Sequence, residues 1–437
     1  MSETVVKKTE ENPVTNLGDA ARVWAKVGFL SFGGPAAQIA LMHREIVEER
    51  KWLSERQYLN ALSFCMLLPG PEAMQLATYV GWRMHGTSGG LLAGLLFLLP
   101  GAIVTLMLAM FYVAFGNVPM VNALFLGIKA AVVVIVLEAL LRVSKRALKH
   151  WEHWIVAALA FVAIFFFAVP FPVLIGMAAL WGFMRSNATD AAYDNPEHVL
   201  LTGQNRLGKT LSTALIWLVI WLVPLLGLGL VAGAGILPDI AYFFSKLAVV
   251  TFGGAYAVLA YMAQDVVNAF GWLNAGQMMD GLGLAETTPG PLILVTEFVG
   301  FIAAYRDPPM WMGLAGAVVT LWATFAPCFL WIFVGAPYID WIATRPRLRG
   351  ALSMITASVV GVILNLAIWF ALHVFFAEVS LVQHGWLQLW RPDFMALDWR
   401  VVLLSGACAI LLLKMHWGIA WTLLLSSLCS AALVLVG

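Results

Sequence analysis

Long apolar runs alternate with short polar breaks from near residue 19 to the end of the chain. Runs such as Gly89–Phe115 and Met354–Phe376 are almost free of charge. They exceed the ~20 residues that a helix needs to cross a bilayer. In lipid such stretches satisfy their backbone only as helices. The pattern predicts a first set of elements at 19–41, 57–81, 89–115, 120–141, 154–169 and 171–184. A second set is predicted at 238–262, 277–303, 310–335, 352–376, 400–413 and 417–436. One unmatched apolar span, 211–231, lies between them. The class expected is an all-α polytopic membrane protein.

The two sets repeat one another. Trp24–Pro71 aligns without a gap to Phe244–Pro291, with 15 identities in 48 positions. These include Lys26/Lys246, Val47/Val267, Trp52/Trp272 and the Gly and Pro positions discussed below. The match resumes by pairing Pro100 with Pro327 and Ala130–Val133 with Ala357–Val360, and more weakly Ile155–Pro172 with Val401–Gly418. Such duplication is a common plan in transporters. Six elements plus one is odd, so the second half enters from the opposite side and the repeats are expected to be inverted. The divisions are a disordered cytoplasmic tail (1–18), a first repeat (19–184), a cytoplasmic linker (185–210), a linking helix (211–231) and a second repeat (238–436).

Basic residues support that orientation through their preference for cytoplasmic loops. Arg142, Lys145, Arg146 and Lys149 mark segment 142–150, Arg185, Arg206 and Lys209 mark 185–210, and Arg345, Arg347 and Arg349 mark 336–351. With the N-terminus inside, all three segments fall on the cytoplasmic face and the C-terminus is periplasmic. Segment 42–56 is the exception, with Arg44, Arg50, Lys51 and Arg56, whereas its counterpart 263–276 has no Lys or Arg. Re-entrant first and second elements in each half remove the conflict. Irregular backbone is tolerated at membrane depth where it lines a protein cavity.

Helix-hostile residues break those elements in mid-membrane. Gly33, Gly34 and Pro35 interrupt the first element, and Gly253 and Gly254 its counterpart. Pro69-Gly70-Pro71 and Pro289-Gly290-Pro291 interrupt the second pair. Proline suits the first turn of a half-helix. Free amides and the positive dipole end there favour an anion. Lys26 and Lys246 lie seven residues before the Gly pairs and would supply two positive charges; each also suits a snorkelling role. Ser31, Thr251, Thr287 and Thr288 offer hydroxyls beside the breaks. Glu72 and Glu286 flank them, as dipole-stabilised carboxylates or as proton-coupling groups. Lys129 and Glu138 are further coupling candidates, nine residues apart on the fourth element and too distant for a direct helical pair.

Composition agrees with the apolar pattern: 62% of the 437 residues are hydrophobic and 11% are charged. Soluble domains carry about 25% charge. The net charge of +1 gives no surface for nucleic acid. Cys65, Cys328, Cys408 and Cys429 are scattered singly, without a disulfide or metal pattern. Gly203–Thr210 fits the phosphate-loop pattern, but that motif has meaning only between a strand and a helix of an α/β domain. His150, Glu152 and His153 resemble a metal cluster only by composition. Neither an enzyme nor a cofactor is expected. The alternatives to a secondary transporter are a channel, an ATP-driven pump and a membrane-embedded enzyme.

The spacing Gly-Gly, Val, Trp, Pro-Gly-Pro occurs twice, as Gly33/Gly34, Val47, Trp52, Pro69–Pro71 and as Gly253/Gly254, Val267, Trp272, Pro289–Pro291. It resembles the signature of the chromate ion transporter family in its long, two-domain bacterial form. The resemblance implies chromate efflux across the inner membrane, chromate resistance, sulfate as a competing analogue and antiparallel halves. Glu286-Thr287-Thr288 stands against Met66-Leu67-Leu68, so the halves are specialised. Homodimers are compatible with the sequence.

Overall fold

The computed structural model describes residues 16–116, 118–185, 206–233, 235–252, 254–305, 309–339 and 345–436. Residues 1–15 of the expected tail, 186–205 of the expected linker, and Gly253 lie outside the described residues. The first half holds α1 (Leu17–Leu30), α2 (Gly34–His43), α3 (Glu55–Cys65), α4 (Glu72–Phe115), α5 (Pro119–Ala147), α6 (Trp151–Phe167) and α7 (Phe171–Arg185). A linking helix, α8 (Arg206–Ala232), follows. The second half holds α9 (Ile236–Val250), α10 (Ala255–Gln264), α11 (Ala275–Thr287), α12 (Val295–Ala304), α13 (Met310–Gly335), α14 (Pro346–Phe375), α15 (Trp399–Ala409) and α16 (Ile419–Val436). Among the described residues five helices are long and apolar enough to cross a membrane.

Local chemistry repeats between the halves as closely as the sequence does. Ser54 and Asn274 start α3 and α11 with a capping box, each side chain taking the amide three residues on while Gln57 or Gln277 reaches back. π-Helical turns follow α2 and α10, at Arg44–Glu49 and Asp265–Ala269. The Trp52 amide closes onto the Ile46 carbonyl at 2.8 Å, and its counterpart Trp272 onto Val266 at 2.9 Å.

The broken elements double back. The Lys26 ammonium lies 2.5 Å from the Glu45 carboxylate across the Gly33–Gly34 break. A straight helix would set them ~28 Å apart at 1.5 Å per residue. Phe64 and Tyr79, on either side of Pro69-Gly70-Pro71, have ring centroids 6.4 Å apart. In the second half Lys246 lies 5.7 Å above the Tyr261 ring. A Cβ on Gly281 would meet the Phe298 ring at 2.4 Å. Each half therefore presents two helical hairpins, α1/α2 and α3/α4 or α9/α10 and α11/α12, with the Gly and Pro breaks at their tips.

α4 differs from the predicted pair of elements ending at 81 and starting at 89. Its helix runs to a kink at His85 and Gly86, where Gly86 adopts φ +64°. The arms then fold onto one another, and a Cβ on Gly81 would stand 2.3 Å from the Gly89 carbonyl oxygen. The basic segments also prove helical. Arg142, Lys145 and Arg146 occupy the last turns of α5, and Arg347 and Arg349 the first turns of α14.

The last helices of each half pack on the other half. α6 and α7 lie against α14, and α15 and α16 lie against α5. Glycine allows the close approach: a Cβ on Gly361 of α14 would meet the Ala157 carbonyl oxygen at 2.1 Å. One on Gly127 of α5 would meet that of Ser426 at 2.3 Å. Ser405 and Ser426 donate across the same interface to the carbonyls of Ala130 and Gly127, at 2.9 and 2.7 Å.

The all-α expectation holds, with one small addition. Beyond α14 the chain forms an antiparallel hairpin, β1 (Val379–His384) with β2 (Leu387–Pro392), in register Leu381 to Trp390. Gly385 turns it at φ +62°, a conformation glycine adopts freely. The segment is too polar to register among apolar runs. Trp390 packs onto His373 and Trp369 of α14, at centroid distances of 5.3 and 6.5 Å.

Candidate functional site

The four tips meet and share backbone hydrogen bonds. The Gly70 amide donates to the Thr251 carbonyl at 3.2 Å, and the Gly290 amide to the Ser31 carbonyl at 2.9 Å. Since Gly70 corresponds to Gly290 and Ser31 to Thr251, the second bond is the first with the halves exchanged. Such reciprocity is the mark of a two-fold relation. Buried amides reinforce the junction. Gln38 Nε2 donates to the carbonyls of Gly290 (2.6 Å) and Ser31 (3.2 Å), and Gln75 Nε2 to that of Pro69 (2.7 Å). Gly70 and Gly290 hold φ of +116° and +88°, outside the ordinary range of other residues.

A cavity of about 360 Å³ opens at this junction. Pro35 and Ala36 of α2, Glu72 of α4 and Ala255 and Tyr256 of α10 line its inner end. These are first-turn residues, and none of the three helices has a side-chain cap. Their leading amides therefore keep anion-binding capacity. Arg142, Arg146 and Lys149, with Ser353 and Thr356 of α14, line its outer part. Glu138 holds Arg142 at 2.5 Å. The Arg146 guanidinium lies 3.0 Å from the Met66 sulfur. Positive charge at the mouth and uncapped helix starts at the floor make a funnel for an anion.

The sequence candidates divide between this site and other duties. Gly34, Pro69, Gly70, Pro71, Gly254, Pro289, Gly290 and Pro291 belong to the tips, and Gly33 caps α2 at φ +87°. Gly253 is not described. The hydroxyls of Ser31, Thr287 and Thr288 donate to carbonyls of their own helices, at 2.6, 2.8 and 3.0 Å. Thr251 does the same towards Leu247. Those protons are thus committed to backbone. Glu72 is half-buried beside Gly254, where a Cβ would stand 3.4 Å from Glu72 Oε2. Glu286 is buried and accepts from the Tyr256 hydroxyl at 2.8 Å.

The other four charged candidates take separate partners. Lys26 is bound to Glu45, which Arg50 also engages, and Lys246 lies on the Tyr261 ring. Lys129 pairs with Asp280 at 3.3 Å and Glu138 with Arg142, so the two do not form one relay. Arg142, Arg146 and Lys149 are the site residues that loop-charge counting passes over. Arg142 and Arg146 stand one turn apart on α5, a spacing that marks a shared face, and Lys149 follows just beyond its end.

Arg206–Thr210 open α8 as a helix, while Gly203–Asn205 lie outside the described residues. His153 faces Ser353 at 3.3 Å, and Glu152 is held by Arg185 at 3.0 Å. Among the described residues no group of three or more His, Cys, Asp or Glu could hold a metal.

The chromate transporter family profile matches residues 18–183 and again 238–433. A probable chromate transport protein of Synechococcus elongatus is 31% identical over 80% of this chain and 84% of its own length. The chromate transport protein of Cupriavidus metallidurans is 29% identical over 80% of this chain and 82% of its own. That of Pseudomonas aeruginosa is 31% identical over 77% of each. No solved structure matches the chain. With both halves matched by one family profile, the chain belongs to the chromate transporter family.

Proposed function

We propose that this protein is a secondary transporter that exports chromate through the junction of its four hairpin tips and so confers chromate resistance. The observation that carries this reading is the basic cavity ending on three uncapped helix starts. Tetrahedral dianions suit such a site, because the charges of Arg142, Arg146 and Lys149 draw them in while amides replace lost water. The substrate is taken from the relatives named chromate transport proteins. A dianion leaving a negative-inside cell gains about 4–5 kcal/mol per 100 mV, so efflux can run on the potential alone.

The two halves are inverted in this reading and the tips are re-entrant. Supporting this, the C-terminal turns of α5 share the cavity with the N-terminal turns of α14, its repeat partner. α6 meanwhile runs alongside α14, with His153 by Ser353 and Ile164 by Asn365. Repeat partners that cross in opposite senses give opposite orientations if both span. The basic mouth is cytoplasmic, as are the N-terminus and residues 186–205, and the C-terminus is periplasmic. Glu72 and Glu286 carry protons inward in exchange for the outgoing anion. Glu72→Gln would then abolish the part of transport driven by a pH gradient and leave the part driven by potential; an unchanged pH-driven part removes Glu72 from coupling.

Radiolabelled chromate flux into inverted membrane vesicles, with sulfate as competitor and an imposed potential or pH gradient, tests the whole reading. Chromate accumulation that sulfate reduces is expected. Vesicles that accumulate sulfate and no chromate would reassign the substrate, and vesicles that accumulate neither would overturn the function.

A further inference from the structure

A second polar cavity, of about 390 Å³, lies near the other end of α5. Tyr112, Asn122, Lys129, Asn274, Gln277 and Asp280 line it. Lys129 precedes Arg142 by thirteen residues, ~20 Å along the helix axis. The cavity is therefore remote from the basic funnel and on the opposite side of the tip junction.

Its charged pair is poorly satisfied. Asp280 is buried, with one oxygen taking both the Tyr112 hydroxyl at 2.9 Å and the Lys129 ammonium at 3.3 Å. Its other oxygen, Oδ1, is buried without a hydrogen-bond partner among the described residues. A buried carboxylate deprived of its lysine is an uncompensated charge, so the pair parts only as Asp280 takes up a proton. Lys129 is a quarter exposed and carries a flexible stem, free to swing its ammonium into the cavity. The duplication adds a second observation. Lys129 occupies the repeat position of Thr356, and Thr356 lines the basic funnel. The same helix position thus faces a polar cavity in each half, on opposite sides of the junction.

We propose that this cavity is a second oxyanion station, in which Asp280 takes up a proton from the water of the cavity and Lys129 turns from it to the transported tetrahedral anion. The proposal rests on the transport reading above. Asn122 and Gln277 amides supply donors that hold the anion without further charge, and Tyr112 keeps Asp280 in place meanwhile. One positive charge here against three in the funnel makes this the weaker station.

The test uses the purified full-length chain in proteoliposomes, with chromate concentration varied on each face in turn. Asp280→Asn frees Lys129 and should lower the half-saturation constant on this cavity's face by about tenfold, the worth of one charge-assisted contact. The double variant Lys129→Gln/Asp280→Asn removes both charges, leaves no broken ion pair, and should raise that constant by about tenfold or more. The other face and the maximal flux should change little. A purely structural pair predicts wild-type constants for the double variant, and that result overturns the station while leaving the transport reading intact. A wild-type chain that moves no chromate removes both.

Discussion

The Gly290 amide donates to the Ser31 carbonyl at 2.9 Å, joining the tip of one half to the tip of the other. The bond requires Gly290 at φ +88°, and a Cβ there would stand 3.1 Å from Leu294 Cδ1. Left-handed backbone costs other residues about 1–2 kcal/mol. Gly290→Ala should therefore lower stability by at least that and cut flux severely, as should Gly70→Ala, whose Cβ would meet Cys328 Sγ at 2.9 Å. Detergent melting curves with vesicle flux check both. Wild-type flux in either variant would show that the junction tolerates displacement.

Arg142 and Arg146 concentrate positive charge at the funnel mouth. Arg142→Gln/Arg146→Gln should raise the half-saturation constant for chromate about a hundredfold or more, since each of the two charged contacts contributes about 1.5–3 kcal/mol. Initial-rate measurements at several ionic strengths separate the two effects of charge. The variant should also lose most of the salt dependence seen in the parent.

The Lys26–Glu45 pair links the two arms of the first hairpin. Glu45 is buried, and burial works to raise its carboxyl while the bonds from Lys26 and Arg50 outweigh that and hold it below its ordinary value. Glu45→Ala leaves Lys26 and Arg50 without their carboxylate and should cost about 1.5–3 kcal/mol. Lys26→Gln should cost less, because half of the lysine is exposed. If Lys26→Gln instead abolishes flux in a chain that melts normally, the lysine touches the anion.

The helices and their breaks are legible in the sequence because apolar length and Gly or Pro placement are local properties. Partner choice is not. Lys26 and Lys246 look like free charges in apolar spans until the hairpins fold back and bring up Glu45 and Tyr261. Charge counting assigns Arg142 and Arg146 to a loop, and only the packing of α5 against the tips turns them inward. Asp280 and Lys129 are 151 positions apart in the chain, beyond any helical spacing rule. The β1/β2 hairpin escapes because hydropathy windows tuned to spans pass over alternating polar strands.

His43 adds a pH dependence outside the spans. Its ring nitrogens lie 2.6 Å from Glu55 and 3.1 Å from Glu48. The hydrogen bond to Glu55 raises the imidazole above its ordinary 6.5; slight burial opposes this, and the charges of Glu55 and Glu48 add to it. A raised value means that the stabilisation is complete below 6.5 and disappears as pH climbs through the folded value. Between about pH 5 and about pH 8, the wild type should lose more melting temperature than His43→Gln. Parallel curves for the two would remove His43 from the account.

The paired tip bonds make each half an unfinished object. The Gly70 amide finds its acceptor on Thr251 of the other half, and the Gly290 amide finds its own on Ser31. One polypeptide here carries two parts that complete each other's hydrogen bonds. Severed within residues 186–205 and co-expressed, the pieces should find each other, copurify and carry chromate. Either piece alone should insert, aggregate and carry none.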